Sequence, residues 1–463
     1  MTQDFQDFLA AYRAAHPDDV LVVREPVAAD QEITALVQEL ARRGRHPALL
    51  LERVPGLETA VVTNLFASRE RVARMLGVPL AGLHAAYQER SRRRLPPRRV
   101  ERGPVLDIVQ EGPAVDLATV PMLKHFQTDR GPYITNAVLV AQHPDTGAGN
   151  LSYHRSMVHS RNEIATSLHS RGDLWRLLQL AAERGQSLPV AMVIGAHPLF
   201  MLAASARMPF GVDEREVAGG LLGEPLEVVA TPKHGILVPA HAQFVLEGAI
   251  APAAKADEGP FGEFTGYSSD RSTNNLLRVD TILRRRDAVL VDVMGGHSHE
   301  HLNLARIPRE SEMAEKLMQR FPGVTGLHYP NSGTHFHAYV GVKQMRPGEA
   351  RQVMLGLLGW DPYLKSVIAV DPDVDITSDE QVLWALATHF QPHRDLLVID
   401  GLPGSALDPS ASGQGTTSRM GLDATRGPEF EGVRAEVSEG AMSRAAAILA
   451  RHPREGGDPG LPH

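Results

Sequence analysis

In Glu258-Gly-Pro-Phe-Gly-Glu263 two carboxylates flank a tight turn, and Phe264-Thr-Gly-Tyr267 follows it. Gly259 and Gly262 let the backbone fold sharply enough for both acids to face one cavity. Two acids held close repel when both are ionised, so one of them keeps its proton to higher pH. Such a group can hold and deliver a proton near neutrality. From pattern alone, the same stretch also describes a surface loop with two solvated acids.

A second stretch, Asn150-Leu-Ser-Tyr-His-Arg155, follows an apparent strand at 137–142 and the turn Asp145-Thr-Gly-Ala-Gly149. If extended, it puts Asn150, Ser152 and His154 on one face and Leu151, Tyr153 and Arg155 on the other. An arginine aimed into a cavity could bind a carboxylate through two parallel hydrogen bonds. A structural salt bridge is the plainer reading of an arginine taken alone. His169, in Leu168-His-Ser-Arg-Gly172, and Glu214, in Asp213-Glu-Arg-Glu216, would add an imidazole and a carboxylate to the Asn150 amide oxygen. That set suits a divalent ion such as Mn with positions left open for phosphate oxygens or water, although the spacing is too wide to establish a site. Two histidine clusters, His297-Ser-His-Glu-His301 and His335-Phe-His337, invite a zinc reading, because a catalytic zinc takes three protein ligands. If extended, each cluster would share one face; pocket-lining or surface polar residues are the plainer alternative.

Other chemistries lack their signatures. There is no Gly-x-Ser-x-Gly elbow, no phosphate-cradling Gly-x-x-x-x-Gly-Lys loop and no Gly-x-Gly-x-x-Gly fingerprint. With no cysteine, disulfides, thiolate nucleophiles and cysteine-held zinc or iron–sulfur centres are excluded. Any metal must be held by His, Asp, Glu or Asn, which favours Mn, Mg or a similar ion. A net charge of -8 speaks against a nucleic-acid partner. The basic run Arg90 to Arg102 has no interleaved aromatics for base stacking and reads as a solvated connector. No stretch approaches the ~18 apolar residues of a membrane span. Met1 to Tyr12 carries Asp4 and Asp7 and lacks a basic-then-apolar leader pattern, so a cytoplasmic protein is expected.

The elements that must position these residues fall into three regions within 463 residues. The first, 1–112, reads as α/β: a helix over Gln31 to Arg43, strands at Leu49 to Val54 and Ala60 to Phe66, and a helix from Arg69 to Leu76 that stops at Gly77. The middle, 113–310, is rich in short strands: Ala137 to Gln142, Val190 to Ile194, Leu226 to Ala230, Gly235 to Val238, Gln243 to Glu247, Leu277 to Leu283 and Ala288 to Met294. Its helices are few, at Leu174 to Glu183 and Glu214 to Leu222, which suggests a barrel or sandwich-like core. The last region, 311–452, alternates again. Helices are expected at Ser311 to Phe321, Ala350 to Leu358 and Glu380 to Thr388, and strands at His335 to Lys343, Ser366 to Val370 and Leu396 to Ile399. Thr377 with Glu380 fits a capping box. Residues 401–425 show no periodicity, a short helix lies near Ala441 to Arg451, and the tail 453–463 reads as disordered.

Taken together, the motifs resemble those of the UbiD family of decarboxylases over about 110–425. Asn150-Leu-Ser-Tyr-His-Arg155 is similar to that family's metal- and flavin-binding strand, and Asp213-Glu-Arg-Glu-Val-Ala-Gly-Gly220 to its acidic metal ligand. Glu258-Gly-Pro-Phe-Gly-Glu263 with Thr265-Gly-Tyr267 is similar to its catalytic loop. Val238-Pro-Ala-His-Ala and Leu246-Glu-Gly248 precede that loop in the expected order, and Met420-Gly-Leu-Asp-Ala-Thr425 matches a signature near the C-terminus. The resemblance implies a reversible, non-oxidative decarboxylase of an aromatic, heteroaromatic or α,β-unsaturated acid, using prenylated FMN, a divalent metal (usually Mn) and often a potassium ion. It implies Asn150, His169 and Glu214 as metal ligands, and Ser152, Tyr153, Arg155, Leu168, His169, Met208 and Pro209 around the flavin. Arg155 would orient the substrate carboxylate, Glu263 would return the proton, and Glu258 would complete the network. It further implies an α/β protein whose middle domain is a split β-barrel of the flavin-reductase kind and whose C-terminal α/β domain mediates oligomerisation. A homodimer or homohexamer is expected, supplied with cofactor by a flavin prenyltransferase. A flavin-binding oxidoreductase on the same barrel, or a subunit of a multi-subunit aromatic carboxylase, are the rival readings. Two departures stand out: Arg419 where a lysine is common, and the His-rich Gly295 to Leu304, read as divergence of the substrate pocket.

Overall fold

The computed structural model describes residues 2–168, 172–411 and 415–451. It divides into the units Met1–Thr425 and Arg426–His463. In the larger unit, the helix Phe5–Ala15 begins where the Asp4 carboxylate accepts the N–H groups of Gln6 and Asp7, satisfying donors that a helix start leaves free. Helix Glu32–Arg42 buries Ile33, Val37 and Leu40, one stripe at helical spacing. Helix Arg69–Met75 is capped by Ser68, and the chain leaves it at Gly77, whose φ is 65°. These helices accompany a four-stranded sheet in the order Val20–Val23, Ala48–Leu51, Val61–Thr63, Leu290–Val291. Its last strand comes from far along the chain and pairs parallel with Val61–Thr63.

The middle of the chain builds a nine-stranded antiparallel sheet. Its path runs Tyr133–Ile134, Ser156–Ser160, Glu163–Thr166, Asn275–Arg284, Phe244–Lys255, Leu188–Ile194, Val138–Gln142, Gly149–Tyr153, with Ile108–Glu111 joined to Asn275–Arg284. Alternation along its strands feeds two cores. Ala191 and Val193 point into one with Val138 and Val140. Val190, Met192 and Ile194 point into the other with Leu139 and Ala141. Helices Pro198–Ala203 and Glu214–Leu222 contribute to the first core, and Asp173–Glu183 to the second. Both faces are buried, which explains the near-continuous apolar runs of these strands. The longest strand, Phe244–Lys255, shifts register against Asn275–Arg284 at Glu247/Gly248 and again between Ile250 and Lys255, the kind of irregularity that bends a sheet.

Beyond it, helix His299–Arg320 leads to a five-stranded sheet in the order Val324–His328, His337–Val342, Ser366–Val370, Thr416–Ala424, Leu396–Pro403. Ala338 and Val340 face one core while Tyr339 faces another, with helices Glu349–Trp360 and Asp379–His389 on the two sides. The second unit contains the helix Glu439–Ala450, started by the Ser438 side chain.

Several expectations need correction. The helix expected from Ser311 begins twelve residues earlier, at His299, because the Ser298 hydroxyl accepts the His301 N–H; Pro308 lies inside it without ending it. The His297, His299 and His301 run is therefore a helix start rather than an extended face. The strand His337–Val342 begins after His335, so His335 and His337 do not share a strand face. The strand expected over Ala288 to Met294 is only Leu290–Val291. Helix Asp379–His389 is capped by Ser378 on the Gln381 N–H, not by a Thr377–Glu380 box. The region 401–425 holds the strand Thr416–Ala424, whose buried positions are set by its neighbours rather than by an apolar run. The tail expected to be disordered lies outside the described residues. Among the described residues, no helix is long and apolar enough to cross a membrane.

Candidate active site

Arg155 lies in the link between strands Gly149–Tyr153 and Ser156–Ser160. The first strand ends before it, so the alternation that fixes Leu151 and Tyr153 does not set its direction. Its Nε and Nη2 donate to Glu258 Oε2 at 3.1 and 3.0 Å, its Nη1 donates to Glu263, and its Nη2 also donates to the Arg271 carbonyl at 2.6 Å. Its guanidinium stands 5.3 Å from the centre of the Phe261 ring. Four of the five guanidinium hydrogens are thus engaged, leaving one on Nη1. The two glutamates are only 4% and 8% exposed, so the solvated-loop reading is overturned.

What holds both acids inward is the turn between them. Gly259 has a φ of 106°, a conformation open to glycine. Gly262 lies so close to the Phe126 ring that a Cβ would come within 2.4 Å of it. Phe261–Gly262 pairs with Ser268–Ser269. Tyr133 ties the turn from below: its hydroxyl accepts the Gly259 N–H at 3.1 Å and donates to the Pro260 carbonyl at 3.2 Å. Asp129 accepts the Gly262 N–H at 2.8 Å. Sequence reasoning missed Phe126, Asp129 and Tyr133; they lie in loops or on a two-residue strand, where no periodicity marks them.

Burial raises the Glu263 carboxyl above the ordinary glutamate range, against the pull of Arg155 and with help from Glu258 and Asp129. The raised member expected of the pair is therefore Glu263, and desolvation outweighs the repulsion between the acids. Burial also raises the Tyr133 phenol, and the Glu258 charge adds to it.

Glu214 meets the strand that carries Asn150. Glu214 opens the helix Glu214–Leu222 and its Oε2 accepts the Leu151 N–H at 3.1 Å. Burial pushes its carboxyl up to about 8. Asn150 Oδ1 is buried without a hydrogen-bond partner. A bare amide oxygen beside a desolvated carboxylate is a donor set that a hard divalent cation satisfies. His169 lies outside the described residues, and among the described residues no three His, Asp or Glu side chains converge on a metal position.

The remaining expected residues have separate surroundings. His154 Nδ1 lies 3.0 Å from the Ser167 carbonyl and its Nε2 lies 3.0 Å from the Ser152 hydroxyl. The Tyr153 hydroxyl donates to the Met201 carbonyl at 2.9 Å, and Met208 packs against the same apolar core as Tyr153. Pro209 is exposed. Leu168 is buried and donates its N–H to Thr273 Oγ1 at 2.7 Å, just beyond the Arg271 carbonyl that Arg155 holds.

The histidines of 297–301 go to three different places. His297 Nε2 is 3.0 Å from the Asn331 carbonyl, His299 stacks on His46 with 4.0 Å between ring centres, and His301 Nδ1 is 3.1 Å from the Gly296 carbonyl. They do not form one metal centre. His46, His299, Arg45 and Arg69 line a cavity of about 480 Å³ that none of Arg155, Glu258 and Glu263 borders. Arg419 donates to the carbonyls of Leu358, Asp361, Pro362 and Pro403, a structural clamp.

Comparison with known proteins covers nearly the whole chain. Residues 13–90, 98–298 and 302–424 match the N-terminal, Rift-related and C-terminal domain models of 3-octaprenyl-4-hydroxybenzoate carboxy-lyase. Anhydromevalonate phosphate decarboxylase of Aeropyrum pernix is 33% identical over 408 residues, covering 88% of this chain and 90% of the relative. Among solved structures, the UbiD-class enzyme HmfF from Pelotomaculum thermopropionicum, in complex with FMN, superposes with a TM-score of 0.88 at 32% identity, covering 95% of this chain and 98% of the other. An evolved dimeric form of that enzyme, in complex with prFMN, gives 0.84 at 30% identity, covering 95% and 100%.

Proposed function

The chain belongs to the UbiD family of carboxy-lyases, and we propose that it is a prenylated-FMN-dependent decarboxylase, reversible and non-oxidative, of an aromatic, heteroaromatic or α,β-unsaturated acid. The observation that carries this reading is one arginine bound to two buried glutamates, with burial raising the Glu263 carboxyl above the ordinary glutamate range. A relative's substrate bearing both a carboxylate and a phosphate is compatible with the third of these acid classes.

The prenylated flavin, when bound, supplies the electron sink for the charge left by departing carbon dioxide. Asn150, Glu214 and His169 would hold the metal at its phosphate, and Ser152, Tyr153, Arg155, Leu168, Met208 and Pro209 would line it. The orphaned Asn150 oxygen and the desolvated Glu214 support that assignment. Arg155 orients the substrate carboxylate through its remaining Nη1 hydrogen. Glu258 takes both Nε and Nη2 and keeps the guanidinium in place. Glu263, holding a proton above the ordinary range, delivers it to the carbon that has lost carbon dioxide. Burial of the loop keeps water from competing as proton source.

We read the nine-stranded sheet as the split barrel of a middle domain spanning 113–310, between an N-terminal domain at 1–112 and a C-terminal oligomerisation domain at 311–452. Its register shifts support the curvature this needs. A homo-oligomer in the cytoplasm, loaded by a flavin prenyltransferase, completes the proposal.

The test is co-expression with a flavin prenyltransferase, mass spectrometry and metal analysis of the bound groups, and a screen for carbon dioxide release from unsaturated and aromatic acids. Release from at least one acid by the prenylated-FMN form is expected. Ordinary FMN bleached by NAD(P)H, with no acid consumed, would establish the oxidoreductase reading instead.

A further inference from the structure

The start of helix His299–Arg320 borders a cavity of about 480 Å³, within the usual size of a small-molecule pocket. His299 and Asn303, one helical turn apart and therefore on the same face, both line it. None of Arg155, Glu258 and Glu263 does, so its occupant is not the acid that loses carbon dioxide.

Most of the charges around this cavity are already matched. Asp19 accepts from Arg71 and Arg74, Arg69 forks onto Glu310, and Glu70 lies 3.7 Å from Arg74. Two charges are left. Asp18 and Arg45 border the same cavity, both are exposed, and among the described residues neither has an ion pair. The histidines add no charge near neutrality. Burial, with Arg71 nearby, holds the His46 imidazole below its ordinary range. Burial, with His46 and Arg306 nearby, brings His299 down to about 4. The two rings stack with 4.0 Å between centres. Asn303 is 1% exposed. Its amide hydrogens go to the carbonyls of Phe66 and Ala67 at 3.0 and 3.2 Å, which fixes which end of the amide is oxygen. Its Oδ1 is left buried without a hydrogen-bond partner. A buried acceptor of this kind is costly unless a donor meets it.

We propose that this cavity binds a small zwitterion of the α-amino acid class, whose ammonium group donates to Asn303 Oδ1 and balances Asp18 while its carboxylate takes the Arg45 guanidinium. An ammonium group has three donors and no acceptor, which suits one bare amide oxygen and one free carboxylate. A guanidinium fork suits a carboxylate. A simple cation would answer Asp18 and leave Arg45 unmatched, and a simple anion would do the reverse. A molecule carrying both charges answers both, and the neutral imidazoles oppose neither. A metal ion fits less well, because among the described residues no three His, Asp or Glu side chains converge on one position.

The experiment is calorimetric titration of the flavin-loaded, full-length protein with the standard L-amino acids. The tightest binder is then compared with the amine that lacks its carboxylate and with the acid that lacks its amino group. The amino acid is expected to bind at least about tenfold more tightly than either. Arg45→Met should remove its advantage over the amine, and Arg45→Lys should restore part of it. Asp18→Asn should remove its advantage over the acid. Both side chains are exposed, so these variants test binding rather than folding. No amino acid binding at millimolar concentration, or an advantage that survives its matching substitution, overturns the site; so does glycerol or another uncharged polyol binding as tightly. The readout is binding without turnover, so the result stands apart from the decarboxylase reading.

Discussion

Asp129 accepts the Gly262 N–H at 2.8 Å with one carboxylate oxygen and the Phe126 N–H at 3.0 Å with the other. One buried side chain thereby fixes the residue just before Glu263 and the ring packed against it. Asp129→Ala removes both acceptors. Turnover of the flavin-loaded enzyme should fall about 100-fold, the scale on which small misplacement of a reacting group acts. Stability should fall by about 1–3 kcal/mol, because the Gly262 N–H is left buried without a partner. Steady-state kinetics and urea denaturation of the same preparation measure the two effects; unchanged turnover would show that the loop needs no such anchor.

Glu263→Gln keeps the size of the side chain and most of its packing but removes the transferable proton. Turnover should drop by about 100- to 10,000-fold, the range of general acid catalysis, while the flavin absorbance of the purified protein stays. The wild-type pH profile follows from the sign of the shift. Burial raises the Glu263 carboxyl, so the protonated form persists above the ordinary glutamate range and is lost as pH rises through the raised value. The rate should therefore decline on the alkaline side of that value. A wild-type profile flat across the alkaline range would remove Glu263 as the donor.

Glu300 offers a test that does not involve activity. It is fully buried and accepts from the N–H groups of Asn64, Phe66 and Met294 and from the Thr63 hydroxyl, yet burial and the nearby Asp292 push its carboxyl from 4.5 up to about 7. Between those values the folded chain holds a proton that the unfolded chain has released. Stability from this group is thus complete below pH 4.5 and is lost as pH rises toward 7, by roughly 3 kcal/mol. Urea midpoints measured across that window should fall with pH in the wild type and fall less in Glu300→Gln. Equal slopes in the two proteins would mean that another group carries the dependence.

The parts of the molecule readable from sequence were those whose physics is local. Helix Glu214–Leu222 is bounded by an Asp213 cap and a Gly223 stop, both visible as residue types. Strand Ser366–Val370 shows as an apolar run because both its faces are covered. The two acids of the turn were visible as a pattern, but not their burial, which depends on Phe126, Asp129 and Tyr133 arriving from more than 120 residues away. The same holds for Arg155: its type and position suggested an anion partner, whereas its two glutamates and the Arg271 carbonyl come from a distant segment. Helix His299–Arg320 was under-read because Pro308 and the polar N-terminal turns mask a helix whose buried charges are satisfied by tertiary partners. Strand Thr416–Ala424 was missed because a strand inserted between two others takes its register from them, not from its own alternation.

The pairing of Leu290 and Val291 with Val61 and Val62 has a consequence for how the chain comes into being. During synthesis the first sheet must wait with one edge unsealed while the whole middle of the protein leaves the ribosome. Closing so long a loop adds only slowly to the entropic penalty, but pairings distant along the chain make folding slow. Throughout that interval the free amides and carbonyls beside Val61 are available to any passing strand, so the nascent chain is open to misassembly at that edge until Leu290 and Val291 arrive.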